Sequence, residues 1–280
     1  MTFFKTLALS ALIATPLAAQ DGDVLSIGGA VTEIVVALGQ QDRLIGRDTT
    51  STYPPDITAL PDVGYARALS PEGVLSVGPT LILAEAGAGP VETLDVVRAA
   101  DVTFVEVPGA PSADGILEKI AVVGDALGVP DRAAALAAEV KTALDQALAD
   151  ADRPEGDRLR VLFVLSTQGG KINAAGTDTG ADAIIRMAGG INAMSDFSGY
   201  KQVTDEAVGL AAPDLILMMD RGGDHGASDD ALFAMPAIQL TPAAQTHRAL
   251  RMDGLLLLGF GPRTPQAIRE LNQALYGGNG

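Results

Sequence analysis

The chain of 280 residues carries 35 acidic against 19 basic side chains, a net charge of −16, and contains no cysteine. That charge repels nucleic acid and anionic lipid, and the missing thiols exclude disulfides, thiolate metal sites, iron–sulfur clusters and cysteine catalysis. Stability must therefore come from packing, and the length is enough to bury two cores.

Residues 1–19 read as a secretory signal, with Lys5 near the start, an apolar run from Thr6 to Leu17 and small Ala18-Ala19 before the first acid at Asp21. The run is too short to span a bilayer, so an exported chain is expected. Residues 20–110 read as a first α/β lobe. Its strand candidates are Val24 to Ile27, Leu44 to Gly46, Leu81 to Ala84 and Thr103 to Val107, with Gly28-Gly29 and a helix from about Val31 to Leu38 after the first. Residues 111–156 turn helical, one piece ending at Gly128 and a second, alanine-rich and free of glycine, opening at Pro130. The second piece is predicted to run roughly 30 Å, long enough to join two lobes. Residues 157–280 then form a second lobe, opening on a strand from Val161 to Leu165 and closing on a helix from about Thr264 to Leu275. This alternation predicts mostly parallel sheet covered on both faces.

One phrase occurs twice. Ser70-Pro71-Glu72-Gly73-Val74, Pro79 and Leu81-Ile82-Leu83 reappear as Thr204-Asp205-Glu206-Ala207-Val208, Pro213 and Leu215-Ile216-Leu217. A hydroxyl residue, an acid two places on, a short apolar-periodic stretch, a proline and a β-prone run describe a capped helix delivering a buried strand. A looser echo pairs Thr32 to Gly39 with Thr179 to Gly189, each an amphipathic helix ended by glycine. The two offsets differ, so the first half carries extra residues between its signatures, and Tyr65 falls among them. Two homologous lobes follow, with the space between them as the natural ligand site.

The enzyme templates fail. Gly28-Gly29 lacks the third glycine of a dinucleotide fingerprint, and neither a Walker loop nor a serine elbow is present. Of the two histidines, His225 lies in a glycine-rich stretch where an exposed loop residue is the plain account. Glu72 and Glu206 sit in the first turns of equivalent helices, where an acid simply complements the helix dipole. Their pairing across a duplication also fits docking of a two-fold basic partner. Tyr65 fits a packing role at a loop–helix junction, or a phenolate ligand for ferric iron, with Arg67 two residues on as a cation able to favour the ionised form.

Ile27-Gly28-Gly29-Ala30-Val31-Thr32-Glu33-Ile34, Gly64-Tyr65-Ala66-Arg67-Ala68-Leu69-Ser70-Pro71-Glu72-Gly73, Ser198-Gly199-Tyr200-Lys201 and Gly259-Phe260-Gly261-Pro262-Arg263-Thr264 resemble the periplasmic haem-binding proteins of bacterial haem ABC importers, within the wider class for cobalamin and ferric siderophores. The resemblance covers essentially all of the chain beyond the signal. It implies two Rossmann-like lobes joined by a single long helix, and a non-catalytic carrier holding ferric haem in the cleft. It implies Tyr65 as the axial ligand, Arg67 beside the haem, and Arg221 supporting the tyrosinate. Tyr200 and His225 are further candidates at the ligand, and Glu72 and Glu206 would engage arginines of the membrane permease. Relatives that stack two haems supply a histidine from the segment matching Ser166-Thr167-Gln168-Gly169-Gly170, which has none here, so one haem is expected, with His225 as a possible sixth ligand. A periplasmic monomer is expected. A ferric siderophore or corrinoid carrier on the same fold, and a secreted enzyme using acidic cleft residues, are the competing readings.

Overall fold

The strands alternate apolar side chains onto two buried faces, which sets the layering of the molecule. The computed structural model describes residues 23–220 and 228–277. Its strands are β1 (Val24–Ile27), β2 (Leu44–Arg47), β3 (Leu81–Glu85), β4 (Thr103–Val107), β5 (Arg160–Ser166), β6 (Ile172–Ala175), β7 (Ile191–Asn192), β8 (Tyr200–Val203), β9 (Leu215–Asp220) and β10 (Ala249–Asp253). Its helices are α1 (Gly29–Ala37), α2 (Pro71–Ser76), α3 (Val91–Arg98), α4 (Ala113–Ala126), α5 (Pro130–Ala151), α6 (Gly180–Met187), α7 (Asp205–Ala211), α8 (Asp229–Phe233), α9 (Pro236–Gln239), α10 (Pro242–Gln245), α11 (Gly254–Leu258) and α12 (Thr264–Tyr276).

The first lobe holds a four-stranded, all-parallel sheet in the order β2-β1-β3-β4. The second holds six strands, β10-β9-β5-β6-β8 with β7 beside β5. The strands are mostly parallel, as expected, and the exception is β6, which runs antiparallel to both β5 and β8. The cause is local. Gly169 and Gly170 take φ of 66° and 73° directly after β5, folding the chain back in a few residues where a parallel return needs a long crossover.

Alternation on the strands divides the interior into three clusters. In β3, Leu81 and Leu83 face one cluster while Ile82 and Ala84 face another; in β9, Leu215 and Leu217 part from Ile216 and Met218 in the same way. The shared cluster takes Val24, Leu83, Ile120, Leu144, Phe163, Leu217 and Leu271, so it runs through both lobes along α5. With 22 residues α5 is about 33 Å long, and it packs against α4 on one side and α12 on the other. Pro130 opens it, where a missing backbone N–H costs nothing. The lobes are thus fused through one apolar core, and burial of Phe163 or Leu144 is worth about 3 kcal/mol each.

The repeated phrase folds as one unit built twice. Ser70 accepts a hydrogen bond from Gly73 N (3.1 Å) at the start of α2, and Thr204 accepts one from Ala207 N (3.2 Å) at the start of α7. Val74 and Val208 are the buried residues beneath them. The looser echo holds at its glycine ends, Gly39 and Gly189, but not at its threonines: Thr179 caps α6, whereas α1 begins at Gly29 and Thr32 lies inside it. Thr32 is buried and shares hydrogen bonds of 2.6 Å with Ser26 and Ser51. Among the described residues, no helix is long and apolar enough to cross a membrane.

Candidate functional site

Open parallel sheets bind ligands beyond the carboxyl ends of their strands, and here Gly29, just past β1, lies against Leu255, just past β10 of the other lobe. The amino end of α1 is closed by the protein itself. Gly28 N donates to Asp48 Oδ1 (3.0 Å) and Gly29 N to Thr50 Oγ1 (3.1 Å), while buried Asp48 also accepts from Thr50 N, Thr50 Oγ1 and Ser51 Oγ. The amides that a phosphate would need are already used, which is the structural counterpart of the missing dinucleotide signature.

Tyr65 projects from the loop between β2 and α2, with 46% of its surface exposed. Buried Val63 and Leu69 fix the loop on either side. Its backbone is tied to the end of β2, with Arg47 N donating to Pro61 O, Val63 N to Arg47 O and Thr49 N to Gly64 O. It is tied again to Gly89, whose N–H donates to Ala66 O and whose carbonyl accepts from Leu69 N. Gly64 has φ of 105°, and a Cβ there would meet nothing within 4 Å, so glycine is required by conformation and not by space. The phenol therefore stands on an ordered loop, half in solvent.

Arg67, exposed on the same loop, acts electrostatically on Tyr200 of the second lobe. Tyr200 lies on β8, edge-to-face with Phe163 at 6.4 Å, with Thr179 and Ala181 at the start of α6 near its hydroxyl. Burial pushes its pKa above the ordinary tyrosine value, with Thr179, Arg67 and the Ala181 amide pulling the other way. It is accordingly a neutral hydroxyl at physiological pH. Thus Arg67 on the first lobe bears electrostatically on Tyr200 on the second. Arg221 and His225 lie outside the described residues. Glu72 and Glu206 are exposed in the first turns of α2 and α7.

Beside these, the lobes meet through charges to which the sequence assigned no role. Glu33 of α1, 6% exposed, pairs with Arg263 at the start of α12, with Nε 3.1 Å from Oε2 and Nη2 on Oε1. The guanidinium also covers the ring of Tyr53 at 3.6 Å. Fully buried Lys119 of α4 donates to Glu85 at the end of β3 and, across the junction, to Gly259 O (3.2 Å). Burial raises the Glu33 pKa, with Arg263 opposing. Glu33 and Arg263 are 230 residues apart, and only a fold that brings α1 onto α12 exposes the pair.

Two surface hollows around Arg158, Arg186 and the end of α5 contain none of these candidates. Among the described residues, no group of three or more His, Cys, Asp or Glu side chains could hold a bare metal ion.

Residues 24–254 match the family model described as periplasmic binding protein. The periplasmic haem-binding protein BhuT, solved in complex with two haems, is 41% identical, covers 91% of this chain and 97% of its own, and superposes with a TM-score of 0.86. The periplasmic haem-binding protein RhuT from Roseiflexus sp. RS-1, solved in its apo form, is 39% identical with the same coverage and TM-score. A Bacillus subtilis protein named as an uncharacterised ABC transporter substrate-binding lipoprotein, YvrC, is 27% identical over 90% of this chain and 79% of its own length.

Proposed function

Because this chain belongs to the periplasmic binding protein family, we infer that it is the substrate-binding component of an ABC importer and that its cargo is ferric haem. The observation that carries the reading is the half-exposed Tyr65 phenol on an ordered loop whose Arg67 bears electrostatically on Tyr200 of the other lobe. A phenolate is a hard anionic oxygen suited to ferric iron, whereas a ferric siderophore brings its own oxygen ligands and needs none. Arg67 supplies positive charge for a haem carboxylate, and neutral Tyr200 supplies a hydroxyl at the facing wall. Arg221 is assigned to support the tyrosinate, and His225 is the candidate sixth ligand. One haem is bound, since Ser166 to Gly170 offer no histidine for a second.

The fused core and the charged junction between the lobes favour a largely preformed cleft over wide closure. The protein works as a periplasmic monomer after removal of residues 1–19, and Glu72 and Glu206 dock it to permease arginines. Titrating the apo-protein with ferric haem should give one equivalent and a tyrosinate-to-iron charge-transfer band, lost in Tyr65→Ala. Cobalamin or a ferric siderophore should not displace it. Saturation at two equivalents would overturn the stoichiometry, and a parental band in Tyr65→Ala would overturn the ligand.

A further inference from the structure

We propose that Asp62, held by Arg47, is the positioning residue that presents the Tyr65 phenol to the iron. The proposal rests on the reading of Tyr65 as haem ligand and extends it to a side chain that does not touch the ligand. Three donors converge on the Asp62 carboxylate. Arg47 Nη1 approaches Oδ2 at 3.2 Å, while Thr49 Oγ1 at 3.1 Å and Gly64 N at 2.9 Å both reach Oδ1. Arg47 is itself nearly buried and fixed at two further points, donating to Asp48 O (3.0 Å) and Thr58 O (3.3 Å). One carboxylate therefore joins the end of β2, the Asp48 loop and the amide next to the tyrosine.

The physical need is specific. The unusual φ of Gly64 gives the chain its bend, but glycine adopts many conformations at similar cost, so something else must select this one. The Asp62-to-Gly64 hydrogen bond selects it, as side chains that bond the backbone two residues on do in turns. The ionised acceptor makes that bond charge-assisted, and Arg47 on Oδ2 holds the carboxylate in place. The clamp sits one residue before Tyr65, so a change there swings the phenol itself. Groups that orient a metal ligand without touching the metal typically govern affinity 10–100-fold.

The test uses the full chain loaded with ferric haem, reading the charge-transfer band and the rate of haem release to excess apomyoglobin. Asp62→Ala should release haem roughly 10–100-fold faster with a weakened or shifted band. Asp62→Asn, which keeps the Oδ1 acceptor and loses the charge facing Arg47, should fall between. In a Tyr65→Phe background, Asp62→Ala should change release by less than about twofold, because the group it positions is gone. An equal acceleration in both backgrounds would show that Asp62 acts through the fold or elsewhere in the cleft, and would overturn the proposal. So would a parental band and release rate in Asp62→Ala beside a lost band in Tyr65→Phe. If the alanine variant does not fold, parental behaviour of Asp62→Asn overturns it instead. A parental band in Tyr65→Phe removes the ligand assignment, and the clamp falls with it.

Discussion

Two tyrosines are proposed to line the haem site, Tyr65 as the iron ligand and Tyr200 as a neutral hydroxyl. Tyr200 is 42% exposed against 46% for Tyr65, but desolvation favours its neutral form, and a neutral phenol is a poor ligand for ferric iron. Tyr200→Phe should therefore keep the charge-transfer band while releasing haem somewhat faster, and loss of the band would exchange the two assignments. The same shift fixes a pH dependence. A folded-state pKa above the ordinary 10.0 means the folded chain holds this proton more tightly, so its contribution to stability is present below that value and disappears as pH rises through the folded pKa. Arg67 opposes the shift, so Arg67→Ala should move the spectrophotometric titration of Tyr200 to higher pH. An unchanged midpoint would mean the guanidinium does not reach the phenol.

At the scale of elements, what was legible in the sequence is what is local. Ser70 and Thr204 cap α2 and α7 because hydroxyl, acid and proline lie within a few residues of one another, and Pro130 opens α5 for the same kind of reason. Strands β6 and β8 escaped notice, since Ile172-Asn173-Ala174-Ala175 and Tyr200-Lys201-Gln202-Val203 are short and partly polar, and their pairing depends on each other. The bridge from Glu33 on α1 to Arg263 on α12 could not be read at all, because neither residue has any local signal for the other. Its removal should be asymmetric. Arg263→Met leaves a buried carboxylate without its partner and should cost about 3–5 kcal/mol, whereas Glu33→Gln keeps a hydrogen-bond acceptor and should cost far less. Since burial raises the Glu33 pKa above 4.5, the contribution of this group is full below that value and declines as pH rises through the folded pKa. Thermal unfolding of Glu33→Gln across that range should lose the decline. Equal destabilisation by the two substitutions would show that the pair matters through packing alone.

Across the whole molecule, duplication links capture to delivery. The two Glu-bearing helices were visible as a repeated phrase, and the structure caps both alike, but the connections upstream differ: residues 38–70 join α1 to α2, while only residues 188–204 join α6 to α7. The longer connection carries Tyr65, so the repeat that supplies symmetric acids also departs from symmetry where the proposed haem ligand stands. Glu72 and Glu206 contribute nothing to the cleft contacts described above and stand exposed on their helices, one per lobe. If they meet permease arginines, reversing both charges should slow association and weaken docking without altering the cargo site. Glu72→Arg combined with Glu206→Arg should bind haem with the parental spectrum and release rate, yet fail to support ATP-dependent uptake into vesicles containing the transporter. Each single reversal should give intermediate uptake, because one lobe keeps its anchor, and added salt should reduce the parental rate toward the single variants. Parental uptake by the double variant would leave the acids as helix-terminal charges worth about 0.3–1 kcal/mol each. Loss of haem binding in that variant would instead place them at the cleft, against their exposure here, and would require the outward orientation of α2 and α7 to be abandoned.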